Sequence, residues 1–102
     1  MAFDYKSARW RRVRDSVLRA AGYRCQYFRR FGKWREADRV HHIWPAEDYP
    51  EYRWSDWNLI SLASKTHNEM HDRNTNKLTD KGIELLKRTA RKRGMAVPER
   101  YK

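Results

Sequence analysis

The chain has 102 residues, enough for one small domain and too few for two independent cores. Its 24 Lys and Arg against 13 Asp and Glu leave a net charge of +11, which calls for a polyanionic partner, nucleic acid before any other. An aromatic content of 14% argues against a disordered basic tail, and the single cysteine excludes both a disulfide framework and a four-cysteine zinc site. No apolar run approaches the roughly 18 residues of a membrane span, and no N-terminal stretch reads as a signal peptide. A soluble protein of the cytoplasm, with no membrane attachment, is the expectation.

In chain order, Trp10, Val13, Val17 and Ala21 recur at three- and four-residue spacing and predict an amphipathic helix over about 7–21. Ser7 can cap it and Gly22 can take the left-handed conformation past its end. Arg9, Arg11, Arg12, Arg14 and Arg19 lie mostly off the apolar face, where they form either a solvated surface or a nucleic-acid contact. Residues 23–38 are mixed in pattern and broken by Gly32, which predicts a turn or short hairpin.

Val40 to Ile43 reads as a short strand ended by Pro45, and residues 46–56 as an ordered loop without a regular period. Leu59 to Leu62 supplies a second strand, after which Ser64 caps a helix predicted to run to about Asn74. Thr79 caps a last helix over about 79–93, with Ile83, Leu86 and Ala90 inward and Lys87, Arg88, Arg91 and Lys92 outward, stopped by Gly94. A frayed tail is expected beyond Pro98. The elements together make an α+β domain spanning 1–102.

All four histidines fall between His41 and His71, and imidazole is both a common ligand of divalent metals and a base at neutral pH without tuning. On a helix, His67 and His71 at i and i+4 would face one ion. His41 and His42 are neighbours on a strand, so their rings point to opposite faces, and a division of labour follows: one ligand, one base. Three imidazoles on a metal leave an open position for water and a phosphate oxygen, and the fourth can take a proton from attacking water. Those are the requirements of phosphodiester hydrolysis.

The run Val40-His41-His42-Ile43-Trp44-Pro45, then Trp57-Asn58-Leu59-Ile60-Ser61-Leu62, then His67-Asn68-Glu69-Met70-His71 resembles the HNH nucleases with their ββα-metal (His-Me finger) core. The resemblance covers about residues 23–73, within a core of about 23–74 flanked by the two basic helices, and the first of these is similar to the basic segment of small phage-encoded members. It implies His41, His67 and His71 as metal ligands, His42 as general base, and Asn58 as a positioning residue that holds the loop. It implies one divalent metal ion, drawn from magnesium, manganese, nickel and zinc. Many members add a four-cysteine zinc ribbon, but this chain has Phe28, Ala63 and Thr66 beside Cys25 at those places, so no structural zinc is expected and Cys25 reads as an ordinary buried residue.

The function implied is metal-dependent hydrolysis of DNA with 5′-phosphate and 3′-hydroxyl products. Binding would be mainly electrostatic and weakly sequence-specific, through Arg9, Arg11, Arg12, Arg14, Lys87, Arg88, Arg91 and Lys92. A monomer in the host cytoplasm is expected if the chain is phage-encoded, with phage terminase or packaging proteins as further partners. Two alternatives stay open at this point: a non-catalytic basic DNA-binding module with a structural metal site, and an RNA-binding protein in which the histidine spacing is coincidence.

Overall fold

In a computed structural model of the chain, which describes residues 3–102, the first helix begins where the Ser7 side chain accepts from the Trp10 N–H at 3.1 Å. This helix, α1 (Ala8–Ala20), ends against Gly22, whose φ of +61° is the left-handed turn expected from the sequence. Its buried residues are Trp10 and Leu18, while Val13, Val17 and Ala21 are only partly covered. The buried face is therefore shifted from the Val13–Val17–Ala21 stripe towards Leu18, and past the helix end the Tyr23 N–H donates to the Leu18 carbonyl at 2.9 Å.

Residues 23–37 form a knuckle rather than a plain hairpin. Its neck is closed by an antiparallel bridge between Arg24 and Glu36, with Cys25 N–H donating to Arg35 O and Ala37 N–H to Tyr23 O, both at 2.7 Å. Within it lies a single helical turn, α2 (Gln26–Arg29), and a tight turn at Gly32 with φ of +70°. Cys25 is completely buried with a free thiol, as its isolation in the sequence suggested.

The two strands, β1 (Arg39–His42) and β2 (Leu59–Leu62), pair antiparallel in the register Arg39 with Leu62, Val40 with Ser61, His41 with Ile60 and His42 with Leu59. Strand β1 starts and stops one residue earlier than expected, yet Ile43 still donates its N–H to Asn58 O at 2.9 Å. The connection between the strands is ordered by turns of 3-10 helix at Pro50–Tyr52 and Asp56–Asn58. Successive strand residues face opposite ways. His42 accordingly lies on the α1 side, stacked on Trp10, and His41 on the other, against His67 of α3 (Ser64–Asn68).

The fold divides into two compact units, Met1–His67 and Asn68–Lys102. Helix α3 closes the first and stops at Asn68, well short of the expected Asn74. Competing hydrogen bonds end it: the Glu69 and Met70 carbonyls are taken by Thr79, from its hydroxyl at 2.6 Å and its N–H at 2.9 Å, and the Asp72 carboxylate collects the N–H groups of Asn74 and Thr75.

In the second unit, Thr79 caps α4 (Asp80–Arg93) by accepting from Gly82 N–H at 3.3 Å, and Gly94 closes it at φ of +66°. The buried stripe is Gly82, Leu85, Leu86 and Ala90, with Ile83 half-buried rather than inward. The helix is turned because Gly82 sits against the Met70 carbonyl, where a Cβ would lie 2.5 Å from the oxygen. Past Pro98 the chain makes a 3-10 turn, Glu99–Tyr101, instead of fraying. Among the described residues no helix is long and apolar enough to cross a membrane.

Candidate active site

Strand β1 places His41 and His42 back to back, and each is almost fully buried, 1% and 4% exposed. The His41 ring lies 5.7 Å from that of His67, centroid to centroid, at an interplanar angle of 74°. Two imidazoles that each put a nitrogen about 2.1 Å from one ion have centroids roughly 5 to 6 Å apart. The pair therefore fits one divalent cation, and neutral imidazoles are a suitable donor set for it. His71 lies in the second unit, outside the helix, in an isolated bridge with Leu78. Among the described residues no group of three or more His, Cys, Asp or Glu is gathered as a metal-holding cluster.

His42 is held differently. Its Nε2 lies 3.0 Å from the Arg53 carbonyl, which can only accept, so Nε2 carries the proton and Nδ1 keeps its lone pair. The Tyr5 hydroxyl donates to that Nδ1 at 3.3 Å. The Tyr5 pKa is raised, chiefly by desolvation and then by Glu47, so the phenol keeps its proton. The imidazole stacks on Trp10 at 5.1 Å and meets the edge of Phe3 at 4.8 Å. Burial among these rings lowers the His42 pKa, opposed in part by the Arg53 carbonyl, so the neutral imidazole is favoured.

Asn58, fully buried, ties the site together. Its Oδ1 accepts from the Trp44 N–H at 2.6 Å, and its Nδ2 donates to the carbonyls of Trp44 and Tyr52, both at 3.1 Å. Tyr52 immediately precedes Arg53, so the bond that fixes the Tyr52 carbonyl also sets the carbonyl that orients His42. A chain of contacts thus runs from Asn58 through the loop to the imidazole.

The basic residues divide. Arg9 lies over the Trp54 ring at 3.8 Å, Trp54 packs on Phe3, and Phe3 touches His42, so Arg9 reaches the His42 side of the strand pair. Arg14 pairs with Asp15 at 3.1 Å, and Arg11 and Arg12 are exposed along α1. Lys87, Arg88, Arg91 and Lys92 belong to the second unit, where Arg88 pairs with Glu84 at 3.4 Å. Sequence reasoning missed Arg53, whose contribution is a backbone carbonyl and leaves no side-chain signal. It also missed Phe3 and Tyr5 beside His42, and the stacking of Trp10 on that ring.

No family model and no curated protein matches the sequence. Among solved structures, the HNH endonuclease of the deep-sea thermophilic bacteriophage GVE2, crystallised with a manganese ion, superposes with a TM-score of 0.60 at 36% identity, over 63% of this chain and 70% of that one. Identity at this level, over most of the relative's length, goes beyond a shared fold. The mixed helical and two-stranded architecture agrees with it, and the chain belongs to the HNH endonuclease family.

Proposed function

We propose that this chain hydrolyses the phosphodiester bonds of DNA with one divalent metal ion, leaving 5′-phosphate and 3′-hydroxyl ends. The observation that carries the proposal is the 3.0 Å contact between His42 Nε2 and the Arg53 carbonyl: an acceptor there calls for Nε2–H and leaves the lone pair on Nδ1, while burial favours the neutral ring. The Tyr5 hydroxyl, 3.3 Å from Nδ1, marks the place from which a water could donate its proton. As the ring takes that proton, the carbonyl behind it stabilises the imidazolium and keeps it aimed.

His41 and His67 would hold the metal, and the phage relative is crystallised with a manganese ion; such an ion would supply Lewis-acid stabilisation of the phosphate and of the leaving oxygen. Asn58 contributes by fixing the loop that presents Arg53. Arg9, with the exposed arginines of α1, would neutralise backbone phosphates next to the base. The phage source of the relative fits a part in phage genome processing or packaging, which is the biological setting proposed here.

The test is plasmid digestion across magnesium, manganese, nickel and zinc, with His42→Ala alongside. Cleavage by the wild type and a loss of at least about 100-fold in the variant, with DNA binding retained, is the expected result. Wild-type cleavage that survives in His42→Ala overturns the assignment of the base. Absence of cleavage with every metal overturns the function.

A further inference from the structure

Three of the four exposed large hydrophobic residues among the described residues lie on the 23–36 stretch of the knuckle: Tyr23 at 46%, Phe31 at 54% and Trp34 at 58% exposure. The same stretch carries Arg24, Arg29, Arg30, Lys33 and Arg35, with Glu36 as its one acid. The cations and rings are interleaved in space as well as in sequence. The Arg24 guanidinium lies 5.4 Å from the Trp34 ring centroid while donating to Lys33 O at 3.4 Å, and that of Arg30 lies 4.6 Å from the Phe31 ring. Neck hydrogen bonds of 2.7 Å make this a fixed platform.

Cations alone would bind any polyanion, duplex included. Protruding rings add a selective term, because in a duplex both faces of each base are already stacked, whereas an unpaired base has a face to offer. We infer that the knuckle is a second nucleic-acid contact that takes unpaired nucleotides, with bases stacking on Trp34 and Phe31 and the neighbouring basic residues meeting their phosphates. The substrate class is then DNA with single-stranded character, such as a tailed or gapped duplex. This rests on the proposed function for DNA as the polymer, but not for cleavage.

The experiment separates the two. With chelator present, so that no cleavage occurs, the full chain is titrated into a labelled blunt 20-mer duplex, the same duplex with a 10-nucleotide single-stranded tail, and a single-stranded 20-mer. Tight preference for the tailed and single-stranded probes is expected, and Phe31→Ala/Trp34→Ala should weaken both by about fivefold or more while leaving blunt duplex binding unchanged. Trp34→Phe, which keeps a stacking ring, should retain most of the preference lost in Trp34→Ala. Unchanged tailed-duplex affinity in the double variant overturns the inference, and so does an equal loss on all probes. It is equally overturned if the wild type sediments as a dimer that the double variant dissociates with no change in single-strand affinity, since the rings would then serve contact between copies.

Discussion

Replacing Asn58 with alanine removes a side chain that is fully buried and makes three hydrogen bonds. The losses are unequal. Tyr52 O keeps a second donor, the Ser55 N–H at 3.1 Å, whereas Trp44, only 1% exposed, loses its N–H acceptor and the Nδ2 donor to its carbonyl. A buried polar group left without a partner costs about 1–3 kcal/mol, so Asn58→Ala should destabilise by about 3–5 kcal/mol with its small cavity included. That is a large part of the roughly 5–15 kcal/mol of a typical domain. Asn58→Asp is the sharper perturbation. It keeps an acceptor for Trp44 N–H but turns a charged oxygen towards two carbonyls, so at neutral pH it should cost no less than alanine. All five tryptophans, Trp10, Trp34, Trp44, Trp54 and Trp57, lie in the Met1–His67 unit, so urea unfolding followed by tryptophan emission reads that unit alone. A cost below about 1 kcal/mol for the alanine variant would refute the reasoning, as would an aspartate variant equal to wild type at pH 7.

In the second unit, Gly82→Ala would put a Cβ 2.5 Å from the Met70 carbonyl and 3.0 Å from Leu78 Cδ2, so the gain in helix propensity should be outweighed and the unit destabilised by about 1–3 kcal/mol. Hydrogen exchange of the α4 amides measures this, and unchanged or stronger protection would contradict it. The pH profile follows from His42. Its pKa lies below the ordinary histidine value of about 6.5 because burial disfavours the cation. The neutral, proton-accepting form therefore persists as pH falls past that value, and stability present above it is lost as pH falls through the lowered value. The acid limb of kcat/KM should have its midpoint below about 6.5, and a midpoint at or above it would count against the buried base.

The elements that the sequence revealed best are those whose signals are local. Ser7 and Thr79 as caps, Gly22 and Gly94 as stops, and the two strands around the histidines all stand within a residue or so of their expected places. Helix α3 was overextended because its end depends on Thr79, ten residues and more away, which takes the Glu69 and Met70 carbonyls. Opposite facing of His41 and His42 could be derived from strand geometry, and Asn58 as a loop anchor from the family pattern. What no pattern exposed was the surround of His42: Phe3 and Tyr5 reach it across more than thirty-five residues, and Arg53 acts through a main-chain atom that every residue possesses.

One consequence lies in the strand pairing itself. With a side-chain period of two, sliding β1 by one position against β2 would exchange the environments of the adjacent imidazoles, sending position 41 into the aromatic pocket and position 42 towards His67. Neither ring would change chemically, yet each would inherit the other's task without its supports. A deletion at Val40 that shifts this register would thus transpose the surroundings of the two rings, whereas an insertion between Pro45 and Ser55 would leave the register intact and act instead on the Tyr52 and Arg53 carbonyls.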